Sequence, residues 1–164
     1  MDRQQIGLML CLNRLNIPLA MSTFDERLIL QKAVCILQHA GVDLGYFYNW
    51  HVRGPYCPSL ANDLFQIVPN VSNHNAQVTT WSLDPKSEIR LEQILPAFET
   101  PRGQSTVRHL EICASIFYVC KNDGIDASNP EVVNARLTER GKRFRIEEVT
   151  EAIDKLVDVK FFEK

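Results

Sequence analysis

Cys57 is the one cysteine of this chain outside an apolar helix face; it follows His51 closely and stands just ahead of a predicted helix start at Pro58. A thiolate nucleophile needs a nearby base or the positive end of a helix. Cys57 with His51 therefore defines an enzyme-like alternative, although a small residue tucked into a tight corner explains Cys57 as well. Cys11, Cys35, Cys113 and Cys120 fall on apolar helical faces and read as buried, reduced thiols suited to the cytoplasm. His39, His51, His74 and His109 never meet carboxylates or cysteines at metal-ligand spacing, and there is no C-x-x-C pair, so neither metal nor cofactor is expected. The phosphate-loop, dinucleotide and serine-hydrolase signatures are missing too. Asp25 and Asp63 are too isolated to form a carboxylate pair. Glu147, Glu148 and Glu151 sit at the start of a predicted helix, where negative charge complements the dipole. The sequence argues against catalysis.

Recognition is the better-supported chemistry. Tyr46, Tyr48 and Trp50 alternate with Phe47 and Asn49, so in an extended segment they share one face. That face either covers a core or docks a partner. Tyrosine, tryptophan and arginine dominate binding hot spots, and Arg53 and Tyr56 flank the same corner. A second cluster is basic: Arg136, Arg140, Lys142, Arg143 and Arg145. As a solvated turn between helices it needs no function; otherwise it would meet phosphates or an acidic protein surface. The formal net charge of −2 does not favour a dedicated nucleic-acid clamp, which makes DNA binding through this turn the alternative.

The elements that position these residues are strongest between Phe24 and Ile67. Thr23 and Glu26 form a T-x-x-E capping box. Phe24, Leu28, Ile29, Ala33, Ile36, Leu37 and Ala40 recur at helical spacing, and Gly41 can supply a left-handed cap. The aromatic run 46–50 is extended and is broken by Gly54-Pro55. Pro58 then opens a helix with Leu60, Leu64 and Ile67 on its stripe.

The run Leu30-Gln31-Lys32-Ala33-Val34, followed by Tyr46-x-Tyr48-x-Trp50-x-x-x-Gly54-Pro55-Tyr56-x-x-Ser59-Leu60-x-x-Asp63-Leu64, resembles the Panacea domain family. That group includes SocA-like antitoxins and YwgA-like bacterial and phage proteins. The resemblance covers the middle of the chain and is diffuse elsewhere. It implies a mostly helical domain that works by binding, with a toxin or a phage- or defence-associated protein as partner. Tyr48, Trp50, Arg53 and Tyr56 would form part of the contact surface, and Gln31 and Lys32 would support the Gly54–Pro55 corner, with Asp63 part of the same motif.

The remaining sequence reads as one all-α domain with a short extended aromatic segment. A first helix is expected from Asp2 to about Leu15, ending before Ile17-Pro18. Met21 offers an alternative start that would drop that helix and leave the Panacea-like stretch intact. Residues 68–80 show no helical period and read as a loop, with a short strand over 76–83 and Trp81 and Leu83 anchoring its exit. Asp84-Pro85 opens a helix that Pro96 kinks or ends. A long apolar helix follows over 104–121, then a short one from Asn129-Pro130 and a last one carrying Ile146, Val149, Ile153, Leu156 and Val157. With 164 residues and 45% hydrophobic content, one domain can bury a core. No apolar run has the length of a membrane span.

Overall fold

The computed structural model describes residues 1–159 and 162. The all-α expectation holds: eight α-helices and one two-stranded hairpin are formed among the described residues. Helix α1 (Arg3–Arg14) is capped by Asp2, whose carboxylate accepts from the Gln5 amide at 2.9 Å. Helix α2 (Phe24–His39) starts at the Thr23/Glu26 box, in which each side chain accepts from the other residue's backbone amide. Gly41 lies at φ +94° beyond its end, letting the amides of Gly41 and Val42 bond back to Gln38 and Leu37.

Strands β1 (Asn49–His51) and β2 (Gly54–Tyr56) pair antiparallel, with Trp50 opposite Pro55 and Val52-Arg53 at the tip. Gly54-Pro55, expected only to break the aromatic run, opens the returning strand instead. Gly54 takes φ +82°, and a Cβ there would stand 2.8 Å from Ser115 Oγ, so both conformation and space require glycine. Helix α3 (Pro58–Ile67) buries Leu60, Leu64 and Ile67, the stripe expected of it.

The stretch read as a loop with a strand is helical: a 3₁₀ turn (Val68–Asn70) and helix α4 (Val71–Val78). Its inward positions Val71, His74, Asn75 and Val78 keep a helical period, but two of the four are polar. Asn75 accepts from Asn13 of α1 at 3.1 Å, so docking on α1 outweighs a run of poor helix formers. Leu83 reaches the core as expected, whereas Trp81 is half exposed.

Helix α5 (Pro85–Ile94) ends where Pro96 begins a 3₁₀ turn (Leu95–Phe98). Helix α6 (Thr106–Asn122) is the central rod: it runs along α2 and also meets the hairpin, helix α7 (Pro130–Glu139) and helix α8 (Ile146–Asp158). One large core joins these elements, and a smaller cluster lies between the ends of α1 and α2 and the inner face of α5. Among the described residues, no helix is long and apolar enough to cross a membrane.

Candidate functional site: the hairpin and the groove beside it

The hairpin is too short to be stable alone, and side chains from α2, α6 and the turn between α7 and α8 hold it. Gln31 pairs with both backbone groups of Cys57, at 2.9 and 3.0 Å, just where the chain enters α3. Lys32 donates its amine to the Pro55 carbonyl at 2.6 Å. From α6 and from the turn between α7 and α8 come Glu111 and Lys142, an ion pair at 2.5 Å whose ammonium also donates to the Val52 carbonyl at 3.2 Å. Trp50 donates its indole N–H to the Arg140 carbonyl at 3.1 Å. The family-like residues Gln31, Lys32, Gly54 and Pro55 thus meet at one point. Asp63 lies apart from them, where it accepts from the Tyr46 hydroxyl at 2.8 Å and from Gln5 at 3.0 Å.

The aromatic face turns inward. Tyr46 is buried, and Tyr48 and Trp50 are packed against the core, with the Tyr48 hydroxyl donating to the Gln31 carbonyl. The Trp50 ring lies 5.4 Å from that of Tyr118. Tyr48 and Trp50 therefore do not form the open surface that the resemblance implied. Arg53 and Tyr56 do line an open groove, together with residues that the sequence reading placed on a helical stripe or passed over.

This groove, about 430 Å³, lies between the start of α2, the hairpin tip and α3. Three large apolar side chains are exposed on it: Phe24 (50%), Val52 (92%) and Phe65 (63%). Phe24 heads the apolar stripe of α2 but lies outside the core, with the guanidinium groups of Arg27 and Arg53 over its ring at 5.9 and 5.5 Å. Phe65 is out of phase with Leu60, Leu64 and Ile67, and that mismatch was the available signal in the sequence. Lys32 lines the groove although it is only 1% exposed. Burial pushes its amine down to about 8, and the positive charges of Lys142 and Arg53 add to the shift.

The basic turn is largely committed within the fold. Arg140 makes a two-pronged pair with Asp123 at 2.7 and 2.5 Å and lies over the rings of Trp50 and Tyr118. Arg136 reaches Asp123 at 3.8 Å and Glu139 at 3.2 Å. Lys142 is buried on Glu111. Only Arg143 and Arg145 stay exposed, and Arg145 lies 3.9 Å from Glu148. Glu148 is bound chiefly by Arg108, which holds its carboxyl down at about 2.

Cys57 and His51 are not brought into a catalytic pair. Cys57 is buried and its sulfur caps α3, accepting from the Leu60 amide at 3.5 Å, while His51 is exposed and stacks edge-on against Tyr56. Burial pushes the thiols of Cys11, Cys35, Cys113 and Cys120 up to about 12, far from the thiolate form. Among the described residues, no group of three or more His, Cys, Asp and Glu side chains is arranged to hold a metal ion. The groove brings exposed apolar side chains and the cations Lys32, Arg27 and Arg53 together on one surface. A scan against family models and a search of curated proteins both found no match to this chain.

Proposed function

We propose that this chain is a non-enzymatic protein-binding module of Panacea type, antitoxin-like, which occludes or redirects a toxin or a phage- or defence-associated protein in the cytoplasm. One observation carries the reading: Phe24, Val52 and Phe65 stay exposed around a groove whose walls are fixed from behind by Gln31, Lys32 and Lys142. Exposed apolar side chains gathered on a rigid frame mark an interaction surface. Arg53 and Tyr56 belong to that surface, whereas Tyr48 and Trp50 brace it from beneath.

The test is affinity capture from a bacterial lysate at moderate salt with nuclease present, using the native chain and Val52→Asp/Phe65→Asp side by side. One protein recovered in stoichiometric amount by the native chain and lost with the variant is the expected result. The variant's stability should stay within about 0.5 kcal/mol of the native value, because both positions are exposed. Equal recovery by both proteins would overturn the reading. Recovery of nucleic acid alone, removed by nuclease, would transfer the function to Arg143 and Arg145.

A further inference from the structure

The groove is apolar on its walls and cationic in its charge. Its lining includes Arg27, Arg53 and Lys32 and no aspartate or glutamate. The nearest acidic residues along α2, Asp25 and Glu26, stay outside the lining, and Glu26 is held by the Thr23 amide. Glu111, the carboxylate buried behind the hairpin, is bound to Lys142. The Lys32 amine therefore has a carbonyl partner in Pro55 and no carboxylate in direct contact; Glu111 acts on it only at longer range, from behind the hairpin and already paired with Lys142. A buried ammonium without a carboxylate in contact is costly, and an anion arriving from outside lowers that cost. Arg53 is a second cation on the groove, not buried but exposed at the tip with Phe24 beneath it, leaving its planar donors open to a carboxylate.

We propose that the groove receives an acidic–apolar segment of a protein partner. A carboxylate of the segment pairs with Arg53 and Arg27 above Phe24, and its neighbouring apolar side chains pack on Val52 and Phe65. The inference rests on the binding-module reading and adds the chemistry of the partner. Nucleic acid would satisfy the cations and could stack a base on Phe65 but would leave the aliphatic Val52 without an apolar contact. A purely apolar helix would cover those residues while desolvating the arginines without partners, which costs affinity. A segment carrying both features satisfies both sets of residues.

The probe is a display library of short random peptides, panned separately on the native chain and on Arg27→Glu/Arg53→Glu, with the best peptide of each then measured by fluorescence anisotropy. The native chain should enrich peptides in which Asp or Glu alternates with Leu, Phe or Trp. The selected peptide should bind the charge-reversed protein at least about tenfold more weakly, and Phe65→Asp should weaken it to a similar degree. Arg53→Glu alone, at the exposed tip, keeps the test valid if the double variant folds poorly. Failure to enrich any peptide, enrichment without acidic residues, or binding indifferent to charge reversal would overturn the proposal. Displacement of the selected peptide by an oligo-dT strand but not by a peptide in which lysine replaces each acidic residue would do so as well, by giving the groove to nucleic acid. These outcomes separate from the lysate experiment: a partner lost on Val52→Asp/Phe65→Asp alongside non-acidic peptides would keep the binding module and discard this partner chemistry.

Discussion

Lys32, from α2, and Lys142, from the turn before α8, reach the same hairpin, and each is buried and donates to a strand or tip carbonyl, at 2.6 and 3.2 Å. Their surroundings differ in one respect. Lys142 has Glu111 at 2.5 Å, a closed pair inside the fold, while Lys32 has only Pro55 and borders an open groove lined by two further cations. The first arrangement is complete without a ligand; the second leaves an ammonium with no carboxylate in contact and only the longer-range field of Glu111 to offset it. Lysine alone therefore does not distinguish the closed side of the hairpin from the side open to the groove. The location of the matching carboxylate does.

The sharpest way to break this contrast is to replace each lysine by methionine. Lys142→Met leaves Glu111 buried and unpaired and should cost about 3–5 kcal/mol in urea unfolding, with much of it recovered in Glu111→Leu/Lys142→Met. Lys32→Met removes one hydrogen bond but also a buried charge with no carboxylate in contact, so its net cost should stay within about 1 kcal/mol. Equal losses would show that the two lysines are equivalent. Trp50→Ala probes the bracing beneath the groove. It removes the contact with Tyr118 and the bond to Arg140, and should cost about 3 kcal/mol by thermal unfolding. An unchanged melt would return Trp50 to the binding surface. Gly54→Ala combines a left-handed conformation with a close approach to Ser115 and should cost about 2 kcal/mol. Adding Ser115→Ala should recover only the steric part.

The smallest effect is in pH. The native Lys32 amine is held at about 8, below its ordinary 10.5, so the unfolded chain retains the proton longer and stability gains from Lys32 as pH rises above 8. Four thiols raised from 9.0 to about 12 act in the opposite sense above pH 9. The window from 8 to 9 should therefore show an upward component that Lys32→Met abolishes. At the acid end, the Glu148 carboxyl at about 2 contributes stability that is fully present above 4.5 and lost as pH falls toward 2. Glu148→Gln should flatten that limb of a pH-dependent melt.

Local chemistry in the sequence foretold much of the helical frame. The Thr23/Glu26 box, Asp84-Pro85 and Asn129-Pro130 each hold the helix start they mark, because a cap involves residues within one turn. Helix α4 escaped because His74 and Asn75 occupy inward positions usually read from apolar residues. The hairpin escaped because its fastenings come from far along the chain: Lys32 lies 23 positions from Pro55, and Lys142 lies 90 from Val52. The same distance disguised the basic turn, since Asp123 and Glu111, which engage Arg140 and Lys142, lie 17 and 31 positions upstream. Phase told which way Tyr46, Tyr48 and Trp50 face together, but only tertiary packing decides whether that shared face is inside or outside. Arg53 and Tyr56 were legible as part of the site; Phe24, Val52 and Phe65 became visible in the folded molecule.

Apart from the Trp50 indole, the fastenings of the hairpin end on its main-chain atoms: the carbonyls of Val52, Pro55 and Cys57 and the amide of Cys57. Every amino acid supplies a carbonyl, so the frame is blind to the side chains at residues 51–53. Their identities can be exchanged while the loop keeps its shape. On the proposed binding reading such a tip can be re-addressed: a few substitutions at the rim would direct the same scaffold toward a different partner without refolding its core.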